Sequence, residues 1–218
     1  MSQIFHPSIN VLARLSLLLV ILLLAGFSWL GFYVASSPFV TEVGVAKAQA
    51  VPYSHQLHVG QLGLDCRYCH SSVETSNTAS IPPTSTCMGC HAQVATDSPA
   101  LQLVRDSLQN NKPLEWTRVH DLPDYVYFNH SIHVKQGVGC ETCHGRVDQM
   151  DVVIKTQTMQ MSWCLECHRA PEKQIRPRSE VFTMGWQPPT DQETLGKQLI
   201  AEHGIQAGHL TDCSVCHR

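Results

Sequence analysis

Ten cysteines and five of the thirteen histidines in this 218-residue chain fall into one recurring unit, Cys-x-x-Cys-His. The copies are Cys66-Cys69-His70, Cys87-Cys90-His91, Cys140-Cys143-His144, Cys164-Cys167-His168 and Cys213-Cys216-His217, and no cysteine is left over. On one helical turn, residues i, i+3 and i+4 point the same way. Two thiols so placed can form thioethers with the two vinyl groups of a porphyrin while the adjoining imidazole reaches the iron. The spacing therefore predicts five covalently bound c-type haems, with the ten cysteines as attachment points. His70, His91, His144, His168 and His217 are the predicted proximal iron ligands. Zinc would pair such units four sulfurs at a time, which an odd number of units cannot complete. Neither zinc nor disulfides would call for a histidine after every second cysteine, a pattern that chance supplies about once in a million.

Eight histidines remain, and His6 precedes an apolar segment that separates it from every motif. The other seven are His55, His58, His120, His130, His133, His203 and His209, more than five irons need. An iron that only passes electrons is best closed on both faces, whereas a catalytic one needs an open position. Two pairs share the pattern His-x-x-His ahead of an attachment motif: His55/His58 in PYSHQLHVGQLGLDC and His130/His133 in YFNHSIHVKQGVGC. At i and i+3 both imidazoles of a pair lie on one helical face, so one short element can grip two irons. These four are the predicted distal ligands. For the fifth, His120 in WTRVHDLPDY is the first candidate, with His209 and Met161 as its alternatives. His203 ends a predicted helix, where it suits the negative dipole end.

The motifs recur at a nearly fixed offset. His55 to His130 and His58 to His133 are both 75 residues, Cys66 to Cys140 is 74, and Cys87 to Cys164 is 77. Such spacing predicts duplication of a two-haem unit, with halves at about 52–95 and 127–172 and a fifth haem at about 190–218. His55 and His130 are assigned to the haem that follows each, and His58 and His133 to the next one along.

The elements that must position these residues are few. From Leu15 to Ala35 the chain reads LSLLLVILLLAGFSWLGFYVA without a charge. Twenty-one residues at about 1.5 Å each span roughly 30 Å, the thickness of a bilayer's hydrocarbon core. Trp29, Phe32 and Tyr33 gather at its far end, where an aromatic belt sits. A cleaved signal peptide would have a shorter apolar run, about 7–15 residues, ending at a small-residue site. The A-x-A patterns here lie downstream, between Ala46 and Ala50. The predicted domains are a cytoplasmic N-terminus 1–14, a transmembrane anchor 15–35 and a periplasmic haem domain 36–218. Covalent haem attachment outside the cytoplasm sets that orientation, because Arg14 is the only Lys or Arg before the span.

Ser98-Pro99 opens a predicted helix through Gln109, and Thr190 with Glu193 reads as a capping box for another that Gly204 ends. Strand signals are weak. The 183 residues from 36 onward leave about 37 per haem, too few for a separate apolar core around each. The expected fold is mostly irregular with short α-helices, with haems as much of the core. Trp116, Trp163 and Phe128 are expected to pack on them. A net charge of −3 gives no reason to expect nucleic acid as a partner.

The stretch GLDCRYCHSSVETSNTASIPPTSTCMGCHAQV, the run VHDLPDYVYFNHSIHVKQGVGCETCHG and the terminal CSVCHR resemble the pentahaem cytochrome c subunit of alternative complex III. The histidine-pair elements are similar to those of class III multihaem cytochromes c. The resemblance implies an electron-transfer subunit, not itself an enzyme, inside a respiratory or photosynthetic quinol-oxidising complex of the bacterial inner membrane. Its partners there would be an iron–sulfur subunit related to molybdopterin enzymes, polytopic quinol-binding subunits and a monohaem cytochrome c. A periplasmic carrier or an oxidase would take the electrons. The rival reading is a stand-alone membrane-anchored quinol dehydrogenase that feeds a periplasmic reductase. Such proteins begin haem attachment almost directly after the anchor, whereas about thirty residues separate Ala35 from Cys66 here. A multihaem enzyme would need a modified motif or a five-coordinate iron, and none of the five motifs departs from the pattern.

Overall fold

The structure, a computed structural model, describes residues 6–217. Residues 1–5 of the predicted cytoplasmic N-terminus, and residue 218, lie outside them. The chain divides into two compact units, one ending at Glu42 and the other starting at Val43.

The first unit is built on α1 (Ser8–Ser36), followed by the short α2 (Pro38–Thr41). With no Gly or Pro break severe enough to stop it, the apolar run propagates as 29 residues of helix, longer at both ends than the predicted span 15–35. None of its residues is buried. Trp29 and Tyr33, one turn apart, stack at 5.7 Å. By length and apolarity α1 can cross a bilayer, a test that an N-terminal signal sequence passes equally.

The second unit is a set of short helices joined by irregular chain, with no β-strand among the described residues. In order these are a π-helical turn at Gln56–Gln61, α3 (Cys66–Cys69), α4 (Thr84–His91), α5 (Gln102–Gln109), α6 (His130–Lys135), α7 (Cys140–His144), α8 (Met161–Arg169), α9 (Gln192–His203) and α10 (Cys213–Cys216). The predicted helix at Ser98–Gln109 begins as a 3-10 turn, Pro99–Leu101, before α5, and it buries Val104. The second predicted helix is α9, but its cap is Asp191 and not Thr190. The Asp191 carboxylate accepts the Thr194 N–H at 2.9 Å, and Gly204 ends the helix at φ +67°.

Fully buried apolar side chains among the described residues are few: Val51, Val73, Val104, Ile175, Val181 and Leu199. Polypeptide alone does not fill this unit. One direct helix contact that does hold it is α9 against the 3-10 turn Pro171–Lys173, which follows α8. Gly196 lets the two backbones touch, since a Cβ there would fall 1.9 Å from the Glu172 carbonyl oxygen. Gly196→Ala is expected to push α9 off this turn and cost about 1–3 kcal/mol, read as a lower denaturation midpoint of the full chain.

Candidate functional site

Each Cys-x-x-Cys-His unit occupies one helical turn. In α4, α7 and α8 the histidine lies inside the helix, whereas His70 and His217 cap the four-residue turns α3 and α10. Asp65 starts the first turn by accepting the Arg67 N–H at 2.8 Å, and its carboxyl is held down at about 2 by the Arg67 guanidinium. The ten cysteines form no disulfide, and among the described residues no three His, Cys, Asp or Glu side chains converge as a metal cluster. Burial pushes the Cys140 and Cys143 thiols up to about 12.

The imidazoles share one arrangement. His58 donates from Nδ1 to the Ser54 carbonyl at 2.8 Å, and His133 to the Asn129 carbonyl at 2.7 Å. His70, His91, His130, His168 and His217 donate likewise to Ser80, Val94, Asn77, Leu210 and Tyr125 at 2.7–3.1 Å. A carbonyl can only accept, so the proton is fixed on Nδ1 and the Nε2 lone pair is left for a metal. Burial lowers His55 and His120 to about 4 and His144 to about 3, with neighbouring imidazoles adding at His55 and His144 and Lys155 at His120, so all three are neutral near pH 7.

Two imidazoles that meet one metal ion from opposite faces, each with a bond of about 2 Å, have ring centres roughly 6 Å apart. His58 and His91 are separated by 6.1 Å, His133 and His168 by 6.2 Å, and His130 and His144 by 6.4 Å. Among the imidazoles that act on His55, His70 has the strongest influence. Two buried ring nitrogens, His55 Nδ1 and His120 Nε2, have no partner within the protein. Rings with Nε2 left available, ring spacings of about 6 Å and a unit short of apolar filling all fit bound haem.

The duplication reaches past the motifs. Tyr53 stacks on His58 at 4.5 Å and meets His55 edge-on at 4.9 Å; Phe128 stacks on His133 at 4.4 Å and meets His130 edge-on at 4.8 Å. Tyr53 was missed by the sequence reading, although it stands 75 residues before Phe128, the offset of the histidines. The two halves differ in one respect. Seven residues separate His58 from Cys66 and six separate His133 from Cys140. The first half takes up its extra residue as the π-helical turn Gln56–Gln61, while the second stays α-helical in α6.

The candidates for the fifth distal position lie in different places. His120 packs edge-on against His144 at 4.4 Å, beside the third motif and not the fifth. His209 is largely exposed, its Nδ1 3.2 Å from the Asp212 carboxylate. Met161 lines a cleft together with Cys213, Cys216 and His217. His203 faces the Gln136 carbonyl at 3.2 Å.

Residues 126–218 match the family model described as cytochrome c7 and related cytochrome c. That stretch holds the second half of the repeat and the C-terminal motif. The multiheme cytochrome c subunit of a menaquinone reductase from Nitratidesulfovibrio vulgaris is 29% identical over an alignment of 143 residues, covering 56% of this chain and 68% of the relative. Over residues 126–218 the chain is thus similar to cytochrome c7; the described residues are mostly helical and irregular, with one N-terminal apolar helix.

Proposed function

We propose that, on this cytochrome c7-like base, the chain is the pentahaem electron-transfer subunit of a membrane complex that oxidises quinol, of the kind called alternative complex III. The observation that carries the relay is the repeated ring pair: His58/His91 at 6.1 Å and His133/His168 at 6.2 Å, one in each half. In this reading the ten cysteines tether five haems, and His70, His91, His144, His168 and His217 hold the irons from the proximal side. His55, His58, His130 and His133 close the opposite faces of the first, second, third and fourth irons. Bound haem supplies an iron that gains and loses one electron at a time.

The protein's part is positional. Carbonyls of residues 54, 129, 77 and 210 fix each ring's tautomer and direction, and Tyr53 and Phe128 clamp the ring pairs. Because each His-x-x-His element serves two irons, neighbouring haems in a half are held at fixed separation. Closed on both faces, the first four irons offer no substrate position, and in this reading the chain relays electrons without bond chemistry of its own.

The N-terminal helix acts as a single membrane anchor in the bacterial inner membrane, with residues 36–218 on the periplasmic side. The partners are the iron–sulfur/molybdopterin-like subunit, polytopic quinol-binding subunits and a monohaem cytochrome c, with quinol oxidation carried by the polytopic subunits. The subunit of a menaquinone reductase supports a place beside a quinone-reactive membrane complex. It also favours a second reading, in which electrons run through the haems towards menaquinone. Adding menaquinol to the purified complex and to the purified chain separates these readings. Rapid haem reduction in the complex alone supports the assignment. Equal reduction of the isolated chain would instead make it a stand-alone quinol dehydrogenase. Haem oxidation by menaquinone, without reduction by menaquinol, would reverse the direction.

A further inference from the structure

We propose that Met161 supplies the distal ligand of the fifth haem, so that a thioether-ligated iron terminates a single row of sites. The inference rests on the five-haem reading above and goes beyond it in naming the ligand and the end of the row.

The row follows from contacts between motifs. Tyr68 of the first motif reaches Gly89 of the second, where a Cβ would lie 3.6 Å from its hydroxyl. His130, whose ring lies 6.4 Å from that of His144 of the third motif, donates to the carbonyl of Asn77, seven residues past His70 of the first. The same α6 joins the third motif to the fourth, placing His133 6.2 Å from His168. His168 in turn donates to the carbonyl of Leu210, three residues before Cys213. The order is second, first, third, fourth, fifth, and the fifth site has a neighbour on one side only.

At that terminal site no imidazole among the described residues is in ring contact with His217; the ring beside it is Tyr125, at 5.8 Å. Its cleft is lined by Met161, Cys164, Leu165 and His168 from α8 and, facing them, by the segment from Leu210 to His217. Of the two motif histidines on this cleft, His168 already lies 6.2 Å from His133, which leaves the cleft to His217. Met161 is the first residue of α8 and is 64% exposed, an unbranched side chain with reach. A thioether lone pair donated to iron breaks no bond and moves no proton. It also raises the iron's potential relative to a second imidazole, so this end of the row holds electrons most tightly.

The test uses the full chain, wild type and with Met161→Ala, Met161→Leu and Met161→His, each checked by mass for five covalent haems. In the oxidised wild type, a near-infrared iron–methionine charge-transfer band accounting for one haem is expected. Alanine and leucine should each abolish the band and turn one haem in five high-spin. Histidine should abolish the band, keep that haem low-spin and lower its potential alone. A wild type without the band, or a band that survives Met161→Leu, overturns the assignment while leaving five haems in place. A haem count below five would instead bring down the reading on which it rests.

Discussion

Replacing His133 with alanine is expected to leave five covalent haems in the chain and turn one of them from low spin to high spin. His133 is the imidazole in ring contact with His168, 6.2 Å away. It is aimed by its own bond to the Asn129 carbonyl and by Phe128 stacked 4.4 Å away. Alanine removes the distal ring and leaves the fourth attachment motif and its proximal histidine untouched. The low-spin signal should fall by roughly one fifth, and added imidazole should restore it. His58→Ala should do the same to the second haem, because His58 and His91 stand in the same relation, at 6.1 Å. His203→Ala serves as the control, since its Nδ1 faces the Gln136 carbonyl, away from any motif histidine. Unchanged spectra for both His58→Ala and His133→Ala would refute the pairing.

The second large effect is expected at Arg176. This guanidinium is buried, its side chain 7% exposed, and it lies 2.9 Å from Glu141, inside the third attachment turn and 15% exposed. It also donates to the Thr183 carbonyl at 3.1 Å and lies over the Trp186 ring at 5.0 Å. Gly139 makes the space, since a Cβ there would stand 2.3 Å from the guanidinium carbon. Arg176→Met would leave the Glu141 carboxylate buried without its main counter-charge, a loss of about 3–5 kcal/mol. The measurement is the denaturation midpoint of the full chain against the wild type. Glu141→Gln combined with Arg176→Met should recover part of the loss, because no unpaired charge then remains. At the exposed Arg67–Asp65 pair, Arg67→Ala should move the midpoint little. Equal effects at the two arginines would contradict this account.

Much of the site was legible because its chemistry forces spacing. Thiols and imidazole must share one helical turn, so Cys66 to His217 could be placed on helices before any coordinates existed. The paired histidines and their 75-residue offset could be read for the same reason. Gly204, which must take a left-handed conformation to end α9, was equally plain. What escaped depends on the third dimension. Asp191 and Thr190 are adjacent hydroxyl- or carboxylate-bearing residues before a helix, and one residue of register decides which caps it. The π-helical turn arises from one extra residue whose absorption the sequence does not specify. Arg176, in a loop rich in proline and arginine, gains its role from a carboxylate 35 positions earlier. His120 could serve any site as far as its spacing goes, and only the fold brings its ring to 4.4 Å from His144.

The central claim is that ten thiols carry five porphyrins as permanent parts of the chain. Intact mass of the purified protein, compared before and after acid–acetone extraction, addresses it most directly. A mass increment of five haems that survives extraction, with colour retained, is the expected result. Fewer than five adducts, or colour passing into the acetone, would contradict it.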